Sequence, residues 1–99
     1  MIIQRYEVDM KALTKNVRFK VNQLIRQGCI HKVNNNTYKC SPIENYNSST
    51  YTILIFKNNY MTCSCQYSRY NKTTPCSHIQ AVKRYINAQL EEQQIGLFA

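Results

Sequence analysis

Two periods run along this chain and divide it into helical and extended segments. Met10, Leu13, Val17, Val21 and Leu24 recur at three- and four-residue steps and fall on one face of a helix. Asp9 has the character of an N-cap and Gly28 that of a C′ residue, so a helix is predicted over 9–28. After Gly28 the period changes to two. Residues 29–33 and 37–41 flank Asn34-Asn35-Asn36, residues that tolerate left-handed backbone, which predicts a hairpin with a three-residue loop. Residues 51–56 form the most strand-like run, Lys57-Asn58-Asn59 a second turn, and residues 60–65 the returning strand, giving antiparallel strands over 29–65.

Helical spacing returns near the end. Ile79, Val82, Ile86 and Leu90 share one face, with Gln80, Lys83, Arg84 and Asn87 outside it. Pro75 suits a helix entry, Ser77 an N-cap and Gly96 a stop, which predicts a helix over 77–94 and a tail over 94–99. Residues 1–8 alternate loosely, as a short strand or an ordered arm would. The expected class is α+β: an N-terminal helix, two β-hairpins in a small antiparallel sheet, a loop over 66–75 and a C-terminal helix.

Ninety-nine residues make one domain, 1–99, with a core small enough to gain from a further staple. With two glycines, two prolines and no low-complexity tract, the chain does not read as disordered. No apolar run approaches the ~20 residues of a membrane span. Polar residues interrupt the first segment too early for a signal peptide, and five cysteines do not pair into a secreted disulfide framework. An intracellular, cytoplasmic protein is expected.

Charge adds a partner. The net charge is +8, and all thirteen basic side chains lie within residues 1–85 against three acids there, a local net of +10. Lys11, Lys15, Arg18, Asn22 and Arg26 line the face of the first helix opposite its apolar stripe, with no acid after Asp9. Such a stripe is either a solvated helix face or a phosphate-contacting one. Phe19 borders it, as a packed residue or as an exposed stacking surface.

The chemistry is concentrated in residues 63–78. Cys63 and Cys65, a ten-residue basic loop, then Cys76 and His78 have the form C-x-C, loop, C-x-H. On a strand, residues i and i+2 point to one side, so both sulfurs of the first pair can aim at one point. Cys76 and His78 begin a helix, whose N-terminal partial charge favours a thiolate. Three thiolates and an imidazole fill the tetrahedral shell of a single structural Zn²⁺ and leave no position for water. Cys29, Cys40 and His31 do not complete a second site; the two cysteines read as small buried hydrophobes.

This pattern resembles the SWIM zinc finger of Mutator-type transposases and small prokaryotic or viral proteins. Residues 75–82, Pro-Cys-Ser-His-Ile-Gln-Ala-Val, are similar to that family's PCxHxxAV block, and Tyr51-Thr-Ile to its preceding strand. The likeness reaches back to Arg18 and covers roughly residues 18–86. It implies a ββα zinc finger with Cys63, Cys65, Cys76 and His78 as ligands. In one respect the chain departs from the pattern: residues 66–75 are basic and tyrosine-bearing and lack the acidic or glycine residues common there.

Three functional classes follow. In a nucleic-acid-binding protein, DNA before RNA, Lys11, Lys15, Arg18, Arg26, Arg69, Lys72, Lys83 and Arg84 would hold phosphates while Tyr67 and Tyr70 stack on bases. SWIM domains are widely proposed to bind DNA, which points the same way. The alternative is a protein-interaction adaptor in recombination, replication or repair. Residues 94–98, Gln-Ile-Gly-Leu-Phe, are similar to the Q-x-x-L-F peptides that bind the bacterial sliding clamp, with Gln94, Leu97 and Phe98 as contacts, or else simply cap the helix. An enzyme is not expected: apart from the adjacent Glu91 and Glu92 the five acids form no acid/base arrangement, and nothing local activates Cys29 or Cys40.

Overall fold

In a computed structural model of the chain, the described residues are Tyr6, 13–44, 48–70 and 75–98, with side chains as far as residue 91. The elements are α1 (Lys15–Arg26), β1 (Ile30–Asn34), β2 (Thr37–Cys40), β3 (Tyr51–Ile55), β4 (Met61–Cys63), α2 (Gln66–Tyr70) and α3 (Ser77–Phe98). The architecture is α+β. One four-stranded antiparallel sheet has the order β1-β2-β3-β4; α3 packs on it, and α1 packs against α3.

The first helix begins at Lys15, later than expected. Asp9 and Met10 lie outside the described residues, and Thr14 is the N-cap, its Oγ1 accepting the Val17 N–H at 3.3 Å. The end is as expected. Gly28 takes φ +64°, the Gly28 N–H donates to Ile25 O and the Cys29 N–H to Leu24 O. That pair of bonds is a Schellman motif, and its apolar clasp is Leu24 against Cys29, both buried.

The first hairpin differs from expectation. Asn34 pairs with Thr37, leaving a two-residue loop, and Val33 is an extra unpaired residue between Lys32 and Asn34. No left-handed residue is needed here, because Asn34 Oδ1 accepts the Asn36 N–H at 2.8 Å and closes an Asx turn. Left-handed backbone occurs instead in the second turn, at Asn59 (φ 63°). The Asn59 N–H donates to Phe56 O and the Phe56 N–H to Tyr60 O, a three-residue hairpin loop with its left-handed position at the end.

The core runs from Val21 and Leu24 on α1, through Tyr38, Cys40 and Ile53 on the sheet, to Ile79, Val82 and Ile86 on α3. Cys29 and Cys40 are buried within it, as expected, and Cys29 Sγ reaches Pro42 O at 3.6 Å. Two polar residues expected outside the apolar face of α3 are buried: Gln80 and Asn87. The Asn87 carboxamide pairs with Tyr6, accepting its N–H at 2.8 Å and donating to its carbonyl at 2.6 Å. A buried amide with both functions matched to backbone costs little, which is why an apolar stripe does not find it.

α3 also continues past its expected end, through Gln94 and Gly96 to Phe98. One glycine costs a helix interior about 1 kcal/mol, too little by itself to end the helix at Gly96. The segment expected as a tail is therefore helical; the side chains of Gln94, Leu97 and Phe98 lie outside the described set. Among the described residues no helix is long and apolar enough to cross a membrane.

Candidate metal centre

The end of β4, the bend before α2 and the start of α3 bring the predicted ligands together. Cys63 ends β4, Cys65 sits at the bend before α2, Cys76 precedes α3, and His78 lies in its first turn. Their ligand atoms all lie within 4.8 Å of one another, with the three cysteines buried and His78 half-buried. The first pair is not delivered by a continuous strand, as expected, because β4 stops at Cys63. Ser64 instead extends the sheet by side chain: its Oγ accepts the Thr52 N–H at 3.0 Å while its own N–H donates to Thr52 O. The chain then turns, and Cys65 faces the same point as Cys63.

The second pair is set by the helix start. Cys76, rather than the expected Ser77, is the N-cap of α3: its carbonyl accepts the Gln80 N–H at 3.1 Å and its Sγ the Ile79 N–H at 3.5 Å. His78 Nδ1 lies 3.8 Å from Cys76 Sγ. The Tyr51 ring, 4.6 Å between centroids, packs on the His78 imidazole and limits its rotation. The loop over 66–75 holds a short helix where none was expected, and on it Ser68 Oγ accepts from Cys65 Sγ at 3.4 Å. Ser68 stands three residues after Cys65, one helical turn on; a helix within the loop was the missing signal.

Electrostatics suit a cation. The hydrogen bond between the Cys63 and Cys76 thiols pulls Cys76 far below the ordinary thiol range and pushes Cys63 above it. His78, Ser68 and the Ile79 N–H add to the stabilisation of the Cys76 thiolate, against its burial. A metal bound here would be held by thiolates, so its binding would release the thiol protons. Three sulfurs and one nitrogen, all supplied by protein at this spacing, are positioned to bind one metal ion. His31 is not part of the group; it is exposed, with Nε2 3.2 Å from Ser41 Oγ.

The basic candidates fall into two places. Lys15, Arg18 and Arg26 are exposed on α1, and Arg84 on α3 reaches across to donate to Asn22 Oδ1 at 2.6 Å. Lys83 beside it is half-buried. Tyr67, Arg69 and Tyr70 are exposed on α2, next to the metal centre. Phe19 is 54% exposed, so it is not a packed core residue. Lys11 and Lys72 lie outside the described residues. Between α1 and the metal centre is a cavity of about 350 Å³ whose wall includes Lys20, a residue the stripe argument passed over. The chain matches no family model, no curated protein and no solved structure.

Proposed function

We propose that this chain is a zinc-stabilised nucleic-acid-binding domain of the SWIM type, more suited to DNA than to RNA, and not an enzyme. The observation that carries the reading is the company the metal centre keeps. Tyr67, Arg69 and Tyr70 project from the short helix between its two ligand pairs. Alternating aromatic and cationic groups on a metal-pinned turn suit a strand of phosphates and bases. The exposed cations of α1, with Arg84 across the seam, supply further phosphate contacts.

Zinc is the ion this donor set favours, since three thiolates and an imidazole in a closed group fit a tetrahedral, redox-silent metal. Cys63, Cys65, Cys76 and His78 would hold it. Its role is to fix the β4–α2 bend to the start of α3, so that the intervening turn presents a defined surface. The resemblance to SWIM fingers rests on the ligand order, on residues 75–82 and on the strand that begins at Tyr51, whose ring packs against His78.

Titration with DNA across a salt series tests the reading. Four phosphate contacts would lower affinity about 100-fold between 50 and 200 mM monovalent salt. Absence of binding at the low-salt end would overturn it.

A second reading, an adaptor for a protein of recombination, replication or repair, draws on the length of α3. Leu90 is the last described side chain packed against the core, and the helix continues to Phe98. Gln94, Leu97 and Phe98 would then make contact from a helix rather than from an extended tail. Pull-down with and without residues 94–99 tests it.

A further inference from the structure

We propose that the cavity beside the metal centre receives one unpaired base of a single-stranded nucleic acid, with the adjoining phosphate against Lys20. The proposal rests on the nucleic-acid reading and narrows it to unpaired strands.

The cavity lies between α1, the segment around Ile43 and the two halves of the metal centre, and measures about 350 Å³. That is at the small end for a ligand site, where pockets run roughly 300–1,000 Å³. Val17, Ile43 and Pro75 give it apolar walls, while Tyr51 and Tyr67 supply aromatic surface. Lys20 is a cation on its wall, and none of the described residues that line it is a carboxylate. A flat, mostly apolar ligand carrying negative charge at one end fits that chemistry. A nucleotide has this form: a base for the aromatic and apolar walls, and a phosphate for the ammonium group.

Pairing state decides the class of strand. A base stacked in a duplex shows only its edge in a groove, so a cavity of this size can enclose a base only after it leaves the stack. Single strands supply such a base at no unpairing cost. The position is also suitable for continuing contacts, because Tyr67 on the cavity wall is followed along α2 by the exposed Arg69 and Tyr70. A strand seated here passes from a base in the cavity to phosphates on the cations of the metal turn.

The test is fluorescence anisotropy of the zinc-loaded chain with four probes at matched salt. These are a dT 12-mer, the same strand in duplex, the same phosphodiester chain with abasic sites, and an rU 12-mer. The expected result is at least 10-fold preference for dT over the duplex, lost with the abasic strand. Tyr67→Ala should lower affinity for the 12-mer by about 5- to 100-fold, the worth of one stacked base, and leave duplex binding nearly unchanged. Lys20→Gln should reduce the salt slope by about one. The rU arm separates DNA from RNA as the source of the base, and tight binding of either is expected.

Equal affinity for the abasic and the complete strand, with duplex binding retained, would overturn the base pocket while leaving the nucleic-acid reading standing. Failure of every probe to bind at low salt would overturn both. Circular dichroism and zinc content of each variant distinguish a lost contact from a lost fold.

Discussion

The sulfur of Cys76 accepts the backbone N–H of Ile79 at 3.5 Å, so a single atom caps α3 and faces the other three metal-ligating groups. Helix start and metal centre are thereby one structure. Cys76→Ser keeps a capping oxygen and Cys76→Ala removes it, while both weaken metal binding. With excess Zn²⁺ present to both variants, the serine variant should exceed the alanine variant by about 0.5–2 kcal/mol in urea unfolding. Equal midpoints would show that the cap contributes nothing.

Asn87 makes a separate claim on stability, through Tyr6. Its carboxamide satisfies both backbone groups of that residue from a buried position. Asn87→Leu fills similar space and leaves an N–H and a carbonyl without their partner, at a cost of about 1–3 kcal/mol. Protease cleavage near Tyr6 should accelerate in the variant. An unchanged cleavage rate and midpoint would mean that the first segment is held by other contacts.

Asn59 occupies left-handed backbone, with φ 63°. Asn59→Gly should change stability by only a few tenths of a kcal/mol. Asn59→Val, which cannot take that conformation cheaply, should cost about 1–2 kcal/mol. Thermal denaturation of the pair checks the order, and a valine variant as stable as the parent would contradict the turn assignment.

The core also carries a pH dependence. Burial first, then the neighbouring thiols of Cys76, Cys29 and Cys65, push the Cys40 thiol up from 9 to about 12. Its folded value lies above its unfolded one, so the stability conferred by the neutral thiol is complete below about pH 9. It is lost as pH rises from there through about 12. Stability should therefore fall on the alkaline side, and Cys40→Ala should flatten that limb while lowering the neutral-pH plateau. Urea midpoints between pH 8 and 11 provide the check; parallel curves for parent and variant would remove Cys40 as the cause.

Much of this was legible in the residue pattern, and the exceptions have physical reasons. The four clustered residues were legible from residue type and spacing, C-x-C and C-x-H, although the turn at Ser64 rather than a continuous strand aims Cys65 at the same point as Cys63. Gly28 follows from the need for a left-handed residue after a helix. The start of α1 does not: Asp9 and Thr14 are both good caps, and periodicity continues across either. Asn87 was placed outside the core because an amide is polar, yet its two hydrogen-bonding functions match one residue's backbone from 81 positions away. Long-range pairing of that kind leaves no periodic trace. Lys20 was passed over for a similar reason. It stands off the opposite-face stripe, and only the folding of residues 65–67 and 75–78 toward α1 makes it part of a cavity.

Zinc K-edge X-ray absorption on the purified chain tests the metal centre most directly. The expected spectrum is one zinc per chain with three sulfurs at about 2.3 Å and one nitrogen at about 2.0 Å, and chelation should unfold the domain. A chain that is folded and metal-free after chelation, or a shell of oxygens in place of sulfur, would contradict it.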